Sequence, residues 1–101
     1  MLVTHNIVPC VDGEAPASLS AAWHAVLRDT LGFSGVIITD DLSMGGVTDY
    51  TDGESAAVAA VLAGNDMLCC TDFETQIPAV VRAVEDGTIS EARIDESVLR
   101  I

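Results

Sequence analysis

One stretch constrains this chain more than any other: residues 27–44, LRDTLGFSGVIITDDLSM. It reads as a helix end, a glycine stop at Gly32, a short strand over 35–39 that is apolar on both faces, and two carboxylates, Asp40 and Asp41, where the strand gives out. A strand with no polar face must be covered on both sides, the situation of a parallel sheet flanked by helices. In such α/β folds the carboxyl ends of the strands carry the chemistry, so an acid at that position is a functional candidate on pattern alone.

The same plan recurs on either side. Residues 1–8 (MLVTHNIV) read as a strand, followed by a loop over 9–17 containing Pro9, Gly13 and Pro16. Ser18 or Ser20 caps the next helix, whose buried stripe is Leu19, Trp23, Val26 and Leu27. Thr51 and Glu54 read as a capping box before a helix over 55–63 that Gly64 stops, and Met67-Leu68-Cys69-Cys70 is the third strand. Thr71 and Glu74 form a second box, with Pro78 in the first turns of a helix that Gly87 ends; Thr88 and Glu91 form a third, opening a helix through Ile101.

Three strand ends therefore look alike, Thr4-His5, Thr39-Asp40 and Thr71-Asp72, separated by 35 and 32 residues, about one strand–helix unit each. This alternation predicts an α/β fold with parallel strands and right-handed crossovers. Three strands fall short of a closed barrel, which takes eight in roughly 250 residues, and the outer two are left with apolar edges. The chain is expected to be part of something larger or to cover those edges by association, as a homo-oligomer or with a complementing barrel segment.

Composition removes several functions. The 101 residues allow one domain, and the net charge of −12, with four arginines and no lysine, excludes a nucleic-acid surface. The apolar runs are too short to span a bilayer, so no membrane partner is expected. Residues 1–5 have no basic start or long apolar core of a signal peptide, which favours a cytoplasmic location. The three cysteines form no C-x-x-C and the histidines no H-x-x-x-H, so no metal is expected and the thiols are read as buried and reduced. Neither dinucleotide- nor nucleotide-binding glycine pattern occurs, and no cofactor is expected.

Asp40 and Asp41 lead the candidates for chemistry, the alternative being that both cap the following loop. His5 stands at the equivalent end of the first strand, as a satisfied terminal histidine or as a site wall that bonds a substrate hydroxyl. Met44 fills a loop gap or lines the pocket. Asp72 is read as stabilising a helix N-terminus, His24 as a surface residue without a role, and Ser43 has no neighbouring base to activate it.

The motif LGFSGVIITDDLSM resembles glycoside hydrolase family 3, most of all its β-N-acetylhexosaminidase branch. Residues 1–9, a strand ending in a histidine and then a proline, resemble the family's preceding strand, 16–20 (PASLS) its loop into the next helix, 63–68 (AGNDML) the following strand entry, and 87–101 (GTISEARIDESVLRI) the helical end of the catalytic domain. The resemblance implies a (β/α)8 TIM-type barrel, of which residues 1–101 would be the C-terminal fragment, the last three strand–helix units, incomplete on its own. It implies that Asp40 is the catalytic nucleophile of a retaining hydrolase, that Asp41 supports the loop, that His5 and Met44 lie near the sugar, and that the partner of the whole protein is a carbohydrate substrate. The family's acid/base comes from a KHFPGHG-like loop upstream of these units, and nothing like it occurs here. The chain alone is therefore expected to be inactive. The alternative is a non-catalytic, self-associating barrel remnant; a phosphoacceptor receiver domain would need a lysine.

Overall fold

The computed structural model describes all residues, 1–101, and has α/β architecture with parallel strands. Strand β1 (Leu2–Val3) pairs with β2 (Ile38–Thr39) in parallel register, Leu2 opposite Ile38 and Val3 opposite Thr39. Residues 67–70 run along the other edge of β2, joined by the parallel bridge between Ile38 and Met67. Helix α1 (Ala21–Ala25) lies between β1 and β2, α2 (Gly45–Thr48) and α3 (Gly53–Ala63) lie between β2 and residues 67–70, and α4 (Phe73–Glu85) and α5 (Glu91–Arg100) follow.

The strands are shorter than the sequence suggests, and the hydrogen bonds say why. Beyond Val3 the carbonyls of Thr4 and Asn6 turn away from β2 and accept the N–H groups of Ser18 and Ala17, in the 3-10 turn Ala17–Leu19. The expected strand over 1–8 thus becomes two ladder residues and a clasp around that turn. On the other edge, Thr39 N–H donates to Met67 O at 3.2 Å, but Cys69 N–H then goes to the Thr39 hydroxyl at 3.0 Å. Cys69 O is taken by Leu42 N–H, one residue later than a regular parallel ladder requires. The ladder slips by one at Asp40-Asp41, which ends β2 there.

Helix α3 is apolar nearly all round (GESAAVAAVLA) and is covered on more than one side, as such a helix must be. Ala56, Ala57 and Ala60 pack with Leu19, Leu42 and Val47, while Val61 packs with Ala83 and Ile89. The alanines let the 3-10 turn and α4 approach closely. Pro78 sits in the second turn of α4, as expected. The cap of α1 is Ser20, one of the two expected residues, but the three later caps do not fall where expected. Asp52, not Thr51, caps α3 by accepting Ser55 N–H; Asp72 stands at the cap of α4 in place of Thr71; and Ser90, not Thr88, caps α5 by accepting Arg93 N–H. The Asp52 carboxylate and the Ser90 hydroxyl, one and two residues on from the expected caps, each reach the third helical N–H.

All three stop glycines have positive φ. At Gly64, φ is +124° and the chain closes with Asn65 N–H on Ala60 O and Gly64 N–H on Val61 O, the double bond pattern of a glycine-terminated helix. A Cβ here would also stand 3.2 Å from His24 Cβ. Gly64→Ala is expected to destabilise the chain by about 1–3 kcal/mol, read as a lowered midpoint in urea.

His24 corrects the sequence reading. It is 5% exposed, with Nδ1 on Ser20 O at 2.7 Å and Nε2 on Asn65 Oδ1 at 3.1 Å, so it joins α1 to the end of α3. The thiols also differ from expectation: Cys10 and Cys69 are exposed and Cys70 is half-buried, all free. Cys69 and Cys70 lie on the third strand segment, which has no neighbour on its outer side, and Cys10 lies in the loop after β1.

Below the strands, at their amino ends, Asp66 gathers the far parts of the chain. Its carboxylate is completely buried and accepts Arg28 Nη2 and Arg100 Nη1, each at 2.8 Å, Ser97 Oγ at 2.8 Å and Ile37 N–H at 3.0 Å. Arg93 adds bonds to Val61 O, Asn65 O and Ser97 Oγ. Helix α5 is held in place largely by these polar contacts. The fourth arginine, Arg82, pairs with Glu54 in solvent, where such a pair contributes little.

Candidate active site

The opposite end of the sheet brings Asp40, Asp41, His5, Met44 and Thr71 together. Asp40 follows the last residue of β2, and its own N–H still donates to Val3 O at 3.1 Å. The slipped ladder frees Asp41 N–H from the sheet, and it donates to Asp40 Oδ1 at 2.8 Å. That is the one side-chain hydrogen bond Asp40 makes, and its second oxygen is uncommitted.

Asp41 is the reverse. Its Oδ1 accepts Ser43 N–H at 2.8 Å and its Oδ2 accepts the Thr71 hydroxyl. Its carbonyl accepts Met44 N–H at 3.1 Å and faces His5 Nε2 at 2.8 Å. The Thr71 hydroxyl and then the Ser43 N–H hold its carboxyl below the usual carboxylate range, against a weaker opposing effect of burial. Every polar atom of Asp41 is engaged, so it is a loop tie, and Asp40 is the carboxylate with an oxygen to offer.

His5 closes the group from the first strand. Nδ1 lies 2.6 Å from the Ser18 hydroxyl, and Nε2 reaches Asp41 O. Met44, half-exposed, stands at the N-terminus of the unforeseen short helix α2. Beside His5 opens a cleft of about 420 Å³ lined by His5, Asn6, Ile7, Gly46, Asp49 and Tyr50. Asp72 has no side-chain bond at the cap of α4, and Ser43 contributes its backbone N–H rather than a nucleophile.

Two members of this group escaped sequence reasoning. Thr71 reads as a capping residue, and Ser18 as one of two candidate caps for α1, of which Ser20 serves by accepting Trp23 N–H at 3.3 Å. The signal for Thr71 was its place at the third strand end, where a hydroxyl can reach the neighbouring loop. No cluster of metal-ligating side chains occurs in the structure.

Residues 1–101 match the family model described as the glycosyl hydrolase family 3 N-terminal domain. A secreted glycosyl hydrolase of Arthroderma benhamiae is 35% identical over the whole of this chain and 30% of its own length. A β-hexosaminidase of Idiomarina loihiensis is 46% identical over 71% of this chain and 22% of its own. The solved structure of a family 3 β-N-acetylglucosaminidase from a Paenibacillus species superposes with a TM-score of 0.87 at 40% identity, over 98% of this chain and 20% of that one. The chain thus spans 20–30% of the length of these relatives.

Proposed function

The chain belongs to glycosyl hydrolase family 3, and from that membership we propose that residues 1–101 form the last three strand–helix units of a (β/α)8-type barrel of a retaining β-N-acetylhexosaminidase, with Asp40 as its nucleophile. One observation carries the choice of residue: of the two acids at the end of β2, Asp40 alone keeps a carboxylate oxygen free, while Asp41 is engaged through both.

In this reading the free oxygen of Asp40 attacks the anomeric carbon of a terminal β-linked N-acetylglucosamine. The bond to the leaving oxygen breaks, a glycosyl ester of Asp40 forms, and water then cleaves the ester with net retention. A carboxylate suits the task because it is ionised at neutral pH and stabilises positive charge at the anomeric carbon before bonding to it. Asp41 and Thr71 hold the loop rigid beneath it, and Met44 borders the sugar.

The leaving oxygen needs a proton. The family resemblance assigns that to a histidine loop with no counterpart in these 101 residues. Loss of a general acid costs roughly 10²–10⁴ in rate, and the sugar-binding lysine and arginine positions of the family are absent from the chain as well. The purified chain is expected to show no turnover of a chromogenic β-N-acetylglucosaminide. Turnover that disappears in Asp40→Ala would overturn this expectation.

The open sheet edges support a partner. Leu2 is 56% exposed and Met67 43%, each on an outer strand with no neighbour beyond it. Unpaired apolar edges associate, so the chain is expected to self-associate or to take up a complementing barrel segment. Light scattering checks this, and a monomer at every concentration tested argues against it.

A further inference from the structure

We propose that His5 is a positioning residue for Asp40, acting through Asp41 as a neutral imidazole protonated on Nε2, rather than a ligand for the sugar. The role rests on the reading of Asp40 as the reacting group.

The chemistry of the contacts assigns the tautomer. Nε2 lies 2.8 Å from the Asp41 carbonyl, which can only accept, so Nε2 carries the proton. In the neutral ring Nδ1 is then the acceptor, and its partner at 2.6 Å is the Ser18 hydroxyl. Ser18 is completely buried, so its proton has no water to turn to. The resulting bonds all run one way: Ser18 O–H to His5 Nδ1, His5 Nε2–H to Asp41 O, and Asp41 N–H to Asp40 Oδ1. The last ends on an ionised oxygen and is the strongest of the three in kind.

This arrangement leaves neither ring nitrogen for a substrate hydroxyl. It also explains why Asp41 can aim its N–H at Asp40. Once the ladder slips, nothing in the sheet fixes the Asp41 backbone; His5 grips its carbonyl from the neighbouring strand, and Met44 N–H takes the second lone pair. With the Asp41 carbonyl held twice, the N–H stays on Oδ1 and the other oxygen of Asp40 is left uncommitted. Gly46 lets α2 approach the His5 backbone, where a Cβ would stand 3.1 Å from His5 Cβ and 3.2 Å from His5 O. The 3-10 turn, the loop after β2 and α2 thus all close on this one residue.

Nuclear magnetic resonance of the isotopically labelled chain near neutral pH tests the proposal. The long-range ring spectrum of His5 is expected to show a protonated Nε2 and a bare Nδ1. His5→Gln keeps an N–H donor at the place of Nε2 and is expected to leave the Asp41 amide and the Asp40 carboxyl carbon resonances near their original positions. His5→Phe keeps the ring volume without the donor. It is expected to displace both resonances and to speed exchange of the Asp41 amide about tenfold, the effect of loosening one hydrogen bond. A purely space-filling role predicts the opposite ranking, with Phe tolerated and Gln disruptive. If His5→Phe does not fold, Ser18→Ala carries the test: it is expected to shift Nδ1 while the Asp41 amide stays in place.

A proton on Nδ1, an Asp40 carboxyl carbon indifferent to His5→Phe, or a Gln variant that behaves like Phe overturns the positioning role while leaving Asp40 as nucleophile. Full activity of an Asp40→Asn enzyme overturns the nucleophile itself, and with it the purpose of the chain of bonds.

Discussion

Asp40→Asn is expected to lower kcat by at least about 10⁴-fold in a chimera where this chain replaces the matching segment of the Idiomarina loihiensis β-hexosaminidase, whereas Asp41→Asn is expected to cost far less. The two residues are adjacent and identical in kind, so the comparison isolates position. Asparagine at position 40 can still accept the Asp41 N–H through its amide oxygen, and the loop should keep its shape. On the proposed reading, what disappears is the negative oxygen that forms the glycosyl ester, and Asp41, engaged through both oxygens, is not free to replace it. Asparagine at position 41 disturbs the ties to Ser43 and Thr71, which loosens the site without removing the nucleophile. Initial rates on a chromogenic β-N-acetylglucosaminide, with circular dichroism as the folding control, decide the matter. An inactive Asp41→Asn beside an active Asp40→Asn would reverse the assignment.

The second large effect lies at the other end of the sheet and concerns stability. Asp66→Ala is expected to destabilise the chain by about 3–5 kcal/mol, the usual loss when one partner of a buried ion pair is removed. Its carboxylate is inaccessible to solvent, and without it Arg28 and Arg100 face each other with no counter-charge, while Ser97 and Ile37 N–H lose their acceptor. Folded domains have only about 5–15 kcal/mol in hand, so a large unfolded fraction should be visible by circular dichroism without denaturant. A loss below about 1 kcal/mol would show that the network is dispensable. The pH dependence has a defined sign. Burial alone would raise the Asp66 pKa, but Ile37 N–H, Arg100 and Ser97 outweigh it, and the carboxyl is held below its ordinary value of 3.8. A group whose pKa falls on folding stabilises above its unfolded pKa and loses that contribution as the pH drops through the folded one. The midpoint in urea should therefore fall as the pH is taken below about 4, and Asp66→Ala should flatten that dependence.

The two ends of the sheet also show what can be read without a structure. The alternation of strand and helix, the stops at Gly32, Gly64 and Gly87, and the placing of Asp40 at a strand end follow from local rules, since backbone preference and side-chain period are properties of short segments. Caps were misplaced by one or two residues because Ser, Thr and Asp compete for the same N–H groups, and the winner depends on the entering chain's direction. His24 looked like a surface residue because helical period says which way a side chain points, not what waits there; Asn65, 41 residues away, waits there.

By itself, then, the sequence determined the α/β plan, the parallel strands and the acid pair at the end of β2, all of which depend on residues near one another in the chain. Only the tertiary structure decided that Asp41 is tied through both oxygens while Asp40 is not, and that Asp66 draws Arg28 and Arg100 onto one buried carboxylate. A polar group takes its role from the partners folding delivers to it. Thr71 reaches Asp41 across 30 residues and Arg100 reaches Asp66 across 34, distances over which no local pattern carries information.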